Sequence, residues 1–308
     1  MERVAEWIGS LGGIEHRLRR PQCTRHASFH RQGAMLRRSG IFRPTMHSHG
    51  HDRGAPDLCV VYTTKDSMRT IERSIRSVQP VARRIVVVDS GSSDGTQAAC
   101  RALGAEVHDQ PWLGYARQKQ RAIDLAGGAA WILLLDSDEI VTPELTEAIR
   151  GALARGDTTV NGYWIARRYW YKGGPLRIAY PDRVVRLVRR GAARMRDRAV
   201  HEVIEVDGRT ERLAGDLRHE SWTSVDDALQ RNLAYARLAA KVPGKRSSMA
   251  KAVLNAPWAF VRAYLLQGGM LDGRRGFEIS LVLAAATAFK HLALIEHERD
   301  ARAGTPAG

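Results

Sequence analysis

The sequence predicts an α/β fold, a mostly parallel sheet flanked by helices with a C-terminal helical extension, and three observations predict it. Apolar runs of strand length recur, rich in β-branched residues. Each ends in a polar or acidic turn, and a stretch of helical character follows. Alternation of this kind argues for parallel strands with helices on the faces of the sheet.

Leu58-Cys59-Val60-Val61-Tyr62-Thr63-Thr64 is the first strand and ends at Lys65-Asp66. A helix-like stretch from Met68 to Val78 follows, closed by Pro80. Arg84-Ile85-Val86-Val87-Val88 is the second strand and runs into the tight polar turn Asp89-Ser90-Gly91-Ser92-Ser93-Asp94-Gly95-Thr96. Gln97 to Leu103 has helical character, and Gly104 sits where a helix stops. Trp131-Ile132-Leu133-Leu134-Leu135 is a third strand that stops in Asp136, Asp138 and Glu139. Thr142-Pro143-Glu144-Leu145 then opens a helix. Further on, Val184 to Val188 and Val203 to Val206 read as strands.

The acidic cluster after Leu135 has two readings. Carboxylates so close repel one another unless something positive lies between them, and hard oxygen ligands suit Mg²⁺ or Mn²⁺. A solvated acidic turn that begins a helix is the plain alternative. In open α/β sheets, ligands bind outside the carboxyl ends of the strands. Three polar strand ends converging on one crevice favour the metal reading.

The turn Asp89 to Thr96 and the triplet Asp136-Ser137-Asp138 resemble the nucleotide-sugar and metal motifs of family 2 glycosyltransferases, which have the Rossmann-like GT-A fold. The resemblance continues through Trp112 to Arg121, Tyr180-Pro181-Asp182-Arg183-Val184-Val185-Arg186-Leu187 and Val200-His201-Glu202. It covers roughly residues 57 to 295 and is similar to the branch that adds β-1,4-linked glucose to the lipopolysaccharide inner core. One departure stands out: many members have two adjacent acids in the first turn, whereas here Ser90 follows Asp89.

The resemblance implies transfer of a sugar from a nucleotide-diphosphate donor, UDP-glucose on this branch, to a glycolipid acceptor. A divalent ion, Mg²⁺ or Mn²⁺, would neutralise the leaving diphosphate. Asp138, with Asp136 or Glu139 beside it, would hold that ion, and one of these carboxylates could contact the donor ribose instead. Asp89 and Ser90 would lie near the nucleotide base, with Asp66 helping to close that pocket. Lys119 and Arg121 would meet phosphate or acceptor charge, or form part of a basic helix surface with Arg117. Inversion needs a general base on the acceptor side. Glu202 is the first candidate, with His201 orienting it or approaching the diphosphate. Asp182 is the competitor, unless a salt bridge to Arg183 or Arg186 occupies it. His219 is a further candidate active-site histidine.

Composition and charge fit this reading. A chain of 308 residues with net charge +15 suits nucleic acid, an anionic membrane surface or a phosphorylated substrate. Strand-end acids, and the lack of zinc-finger spacing or an RNA-recognition aromatic motif, count against nucleic acid. A dehydrogenase is disfavoured because no G-x-G-x-x-G follows the first strand. A non-catalytic glycosyltransferase-like protein is the remaining rival. Cys23, Cys59 and Cys100 show no metal-ligand spacing, and the last two read as reduced core residues.

Three regions are expected: a disordered basic extension over 1–55, a GT-A domain over 56–235 and a helical region over 236–300. The extension holds ten arginines against Glu2, Glu6, Glu15 and Asp52, with a possible helix from Met1 to Leu18. It lacks an apolar signal-peptide core, which disfavours secretion. No transmembrane helix is predicted, since Ile279 to Phe289 is the longest uncharged C-terminal stretch. Lysines and arginines punctuate apolar residues from Lys241 to Leu266, as in helices lying on an anionic leaflet. The expected location is therefore cytoplasmic, peripheral on the inner face of the bacterial cytoplasmic membrane.

Overall fold

The computed structural model describes residues 57–198, 201–242 and 244–304, with only the backbone described at 197, 198, 201, 202 and 303. The expected N-terminal extension, its short helix and Cys23 lie outside the described residues.

Strands β1 (Leu58–Thr64), β2 (Arg84–Asp89), β3 (Glu106–Asp109) and β4 (Trp131–Asp136) alternate with helices α1 (Ile71–Val78), α2 (Thr96–Ala102) and α3 (Tyr115–Leu125). These strands lie parallel in the order β3-β2-β1-β4. Strand parity sorts β1 between two layers, because successive side chains leave opposite faces. Leu58, Val60 and Tyr62 pack with Ile71, Ile75 and Val78 of α1, while Cys59 and Val61 pack with Ala122 and Ile123 of α3. Burying a Val, Leu or Ile contributes about 1.5–3 kcal/mol, so two filled layers hold this half of the sheet firmly. Cys59 and Cys100 are free and buried, as expected, and burial pushes both thiols up to about 11.

α1 begins at Ile71, three residues later than expected. The reason is local competition: the Met68 amide donates to Asp94 and the Ser67 amide to Thr96, so these residues bridge to the next loop.

The chain continues through β5 (Glu139–Val141), α4 (Pro143–Ala154), β6 (Val160–Tyr171), β7 (Gly174–Pro175), β8 (Asp182–Arg189), β9 (Ala193–Arg198), β10 (His201–Val206) and β11 (Arg209–Trp222). β8 joins β4 antiparallel, β6 joins β8 antiparallel, and β11 lies parallel to β6 and antiparallel to β5. The sheet is thus mixed, and its parallel part is the part whose strand–helix alternation is visible in the sequence. β9 and β10 form a separate antiparallel ribbon. Thr142 caps α4, accepting from the Leu145 amide, with Pro143 in the first turn. Gly215 of β11 has φ +79°, and a Cβ there would come within 2.4 Å of the Leu145 nitrogen. Only glycine lets the strand and the start of α4 approach this closely.

Helices α5 (Val225–Ala240), α6 (Met249–Val261) and α7 (Arg274–Ala303) close the described chain. The expected boundary at 235–236 falls inside α5. Tyr169, Tyr171 and Trp222 of the sheet share one core with Ala259 of α6 and Ile279, Val282 and Leu283 of α7. Against the expectation of no such helix, α7 is long and apolar enough, by length and composition, to cross a membrane. Counting uncharged residues missed it because a single lysine, Lys290, ends the eleven-residue run without ending the helix. More than half of its apolar window, 56%, is buried against the protein, as in the core helix of a globular fold.

Candidate active site

Register brings the polar strand ends side by side. Thr64 pairs with Asp89 across β1 and β2, and Thr63 pairs with Asp136 across β1 and β4. The crevice expected from three separate turns is therefore one continuous edge.

On the β1–β2 side the carboxylates are held by neutral donors. Asp89 is fully buried and accepts from Thr64 Oγ1 at 2.6 Å, the Ser92 amide at 2.7 Å, Ser92 Oγ at 2.6 Å, the Gly91 amide and Gln97 Nε2. Burial alone would raise its carboxyl pKa, but the bonds from Ser92 and Thr64 outweigh that and lower it. Asp89 thus shapes the turn. Asp66 sits at φ 46°, a left-handed conformation that Asp tolerates better than most residues, and accepts from the Ser93 amide. Ser90 donates its amide to Thr64 O, and its hydroxyl accepts from the buried Gln118.

Beyond β4 the carboxylates are held by cations. Asp136 lies 2.9 Å from Lys119 Nζ and 2.6 Å from an Arg186 nitrogen. Glu139, fully buried, accepts from Arg186 through both oxygens and from Arg167 at 3.4 Å. Asp182, also fully buried, accepts from Arg167 at 2.6 and 3.0 Å. Burial would raise Asp136, but Lys119 and Arg186 beside it hold it well below the usual carboxylate range. Arg167 lowers Asp182 against burial in the same way.

This arrangement sorts the expected metal ligands. Glu139 points into the protein, where two guanidinium groups take its oxygens. Among the described residues, no group of three or more His, Cys, Asp or Glu side chains could hold an ion without help. Asp138 Oδ1 instead lies 3.4 Å from His219 Nε2, and His219 Nδ1 has no hydrogen-bond partner among the described residues. Burial raises the Asp138 carboxyl, and His219 more than reverses this. His219 Nε2 also lies 2.7 Å from Ser221 Oγ, and a carboxylate beside an imidazole is a donor pair of the kind that divalent ions take.

The expected salt bridge of Asp182 to Arg183 or Arg186 is corrected: its partner is Arg167, opposite it across β6 and β8. Arg167 carried a readable signal, since it shares strand parity with Tyr163, Ile165, Tyr169 and Tyr171, all buried. A charge on an apolar strand face implies a buried partner.

A small cleft adjoins this network, lined by Lys119, Trp164, Arg186, Met195, Val203 and Ile204 among others. His201 and Glu202 begin β10 opposite Arg198 and Asp197, and their side chains lie outside the described residues.

The family model described as Glycosyl transferase family 2 matches residues 59–207. The chain is 32% identical to the lipopolysaccharide core biosynthesis glycosyltransferase LpsC of Rhizobium meliloti, over 76% of this chain and 89% of that one. It is 28% identical to a glycosyltransferase of Rickettsia prowazekii, over 72% and 81% of the two chains. Among solved structures, glucosyl-3-phosphoglycerate synthase from Mycobacterium tuberculosis, in complex with Mn²⁺, UDP and glucosyl-3-phosphoglycerate, is 26% identical with a TM-score of 0.31. That match covers 39% of this chain and 45% of the other, less than half its length.

Proposed function

The chain belongs to glycosyl transferase family 2, and from that premise we propose that it moves one sugar from UDP-glucose to a lipopolysaccharide-core glycolipid, inverting the transferred carbon. The observation that carries this reading is the alignment of Thr64, Asp89 and Asp136 across adjacent parallel strands, in a chain similar to one named for lipopolysaccharide core biosynthesis.

The loops carrying Asp66, Asp89 and Ser90 form a rigid wall for the nucleotide, their backbones laced together by the bonds given above. Preformed loops lower the ordering cost of binding. Asp138 and His219 would hold a Mg²⁺ or Mn²⁺ ion, which when bound offsets the negative charge that develops on the leaving diphosphate. Lys119 keeps Asp136 ionised and stands at the cleft, placing a cation near departing phosphate.

On the acceptor side, the hydroxyl oxygen bonds to the anomeric carbon as the carbon–phosphate-oxygen bond breaks, and a base takes the hydroxyl proton. Glu202 is assigned that role, with His201 beside it, because Val203 and Ile204 of the same strand line the cleft. Asp182 fits less well, since it is fully buried and Arg167 claims its Oδ2. A glycolipid acceptor puts the enzyme at the inner face of the cytoplasmic membrane.

Thermal-shift titration with Mn²⁺ and a panel of UDP and GDP sugars tests the donor half. A metal-dependent rise in Tm with a UDP sugar is expected, and no response to any metal–nucleotide pair would end the transferase reading. Glu202→Gln should lose transfer to truncated lipopolysaccharide while keeping donor binding. Normal turnover by that variant would shift the base assignment to Asp182. Donor binding without transfer to any acceptor would favour the non-catalytic rival.

A further inference from the structure

The exposed apolar side chains are unevenly distributed. On α6, Met249, Val253, Leu254 and Trp258 recur at helical spacing and are exposed, Leu254 to 68%. The turns after α6 expose Leu265 and Leu266, then Met270 and Leu271, with Leu266 and Leu271 each 67% exposed. The first turns of α7 expose Phe277 and Leu281. Paired leucines at a turn, open to water, forgo the burial that ordinarily places such residues in a core.

Charge around this surface has one sign. From Lys241 to Phe277 there are seven lysines and arginines, and Asp272 is the single acid. Asp272 is buried and paired with Arg177 at 2.7 Å. Of the neighbouring acids, Glu278 is held by Lys172 and Arg274, and Glu298 by Arg302 with Arg246 at 3.7 Å. Lys245, just before α6, and Lys251, within it, are exposed.

The surface is also braced from behind. A Cβ on Gly276 would fall 1.8 Å from the Gly269 carbonyl oxygen, so the start of α7 and the preceding turn meet backbone to backbone. Phe260 and Tyr264 stack on each other, and both meet the exposed Phe277 ring edge to face. Arg177 and Lys172, which hold Asp272 and Glu278, flank the segment leading into Asp182.

We propose that the turns at 265–271, with the exposed stripes of α6 and α7, dock the enzyme on an anionic lipid bilayer, leucines in the acyl boundary and lysines and arginines among the headgroups. An apolar wedge rimmed by cations matches that interface on both counts. A second copy of this chain fits poorly. A two-fold contact would set the same cations against themselves, and like charges at an interface repel. The inference deepens the glycolipid part of the proposed function, yet it stands on the surface and not on the transfer chemistry.

Sedimentation of the full chain with phosphatidylglycerol-containing vesicles, against pure phosphatidylcholine, tests it. The chain should bind the anionic vesicles and release with added salt. Leu265→Asp/Leu266→Asp should weaken binding at least roughly ten-fold. Lys245→Glu/Lys251→Glu should erase the preference for anionic lipid, and Leu238→Asp, exposed on α5 outside the surface, should change nothing. Three results would each overturn the proposal: no binding by the parent chain, undiminished binding by the leucine variant, or a dimer of the parent that the leucine variant dissociates. The response to Mn²⁺ and UDP sugar in vesicle-free buffer is the separate readout. Its loss in the parent chain counts against the transferase reading and leaves the docking result standing.

Discussion

On the β1–β2 side of the site, Asp66, Asp89 and Asp94 are held by amides and hydroxyls from loops no more than 29 residues away. On the far side of β4, Asp136, Glu139 and Asp182 are held by Lys119, Arg167 and Arg186, and the links from Arg186 reach back 47 and 50 residues. The first side is a laced loop whose bonds each contribute modestly. The second is an ion network in which every charge depends on its partner, because a buried charge left alone is costly. One side is preformed by many short neutral bonds, the other by a few buried charges that must keep their partners.

The largest effect should come from breaking the ion network. Arg186→Met leaves Glu139 with Arg167 alone, and loss of one partner of a buried pair costs about 3–5 kcal/mol. For a chain of this size that corresponds to a fall in Tm of roughly 10 °C. The companion Arg186→Met/Glu139→Gln should recover part of it. A single variant as stable as the parent would show the network to be ornamental.

Asp138→Asn comes next. It should cut transfer by roughly 100-fold, about 2.7 kcal/mol, and remove the Mn²⁺-dependent thermal shift. Its metal-free Tm should stay within a few degrees, since Asp138 meets no guanidinium in the network. Unchanged metal response would relocate the ion.

On the loop side, Asp89→Asn keeps the shape but replaces a charged acceptor with a neutral one. The cost should be about 1.5–3 kcal/mol, with donor affinity falling in parallel, as read by urea unfolding and nucleotide titration.

Acid should weaken both sides together. Asp89, Asp136, Asp138 and Asp182 all have carboxyl pKa values lowered by folding. For such groups the unfolded chain binds more protons as pH falls, so their stability is full above the unfolded value of about 3.9 and is lost below it. Urea midpoints should hold steady from neutral pH to about pH 5 and drop toward pH 3. A profile flat to pH 3 would contradict the lowered values.

The smallest effect is at a helix cap outside the network. Thr142→Ala should cost about 1 kcal/mol, measured by thermal unfolding, with transfer unchanged.

Much of the first side was legible in the sequence. Strand, turn and helix follow one another there, so the apolar runs and the Asp89 to Thr96 turn displayed their elements directly. α1 still began late, because Met68 and Ser67 bond to a loop that only folding brings near. The second side was legible in its acids and not in its pairs. Arg167 meets Asp182 through antiparallel register, and His219 reaches Asp138 because β11 pairs with β5.

By itself the sequence determined the alternating α/β order, the three polar strand ends, the cationic C-terminal helices and the family. Local pattern decides such things, since propensity and side-chain period act over a few residues. The tertiary structure alone decided that Glu139 and Asp182 are buried partners of arginine, that Asp138 faces His219, and which leucines stay in water. Those outcomes depend on register between strands distant along the chain, and a shift of one residue would turn each side chain to the opposite face.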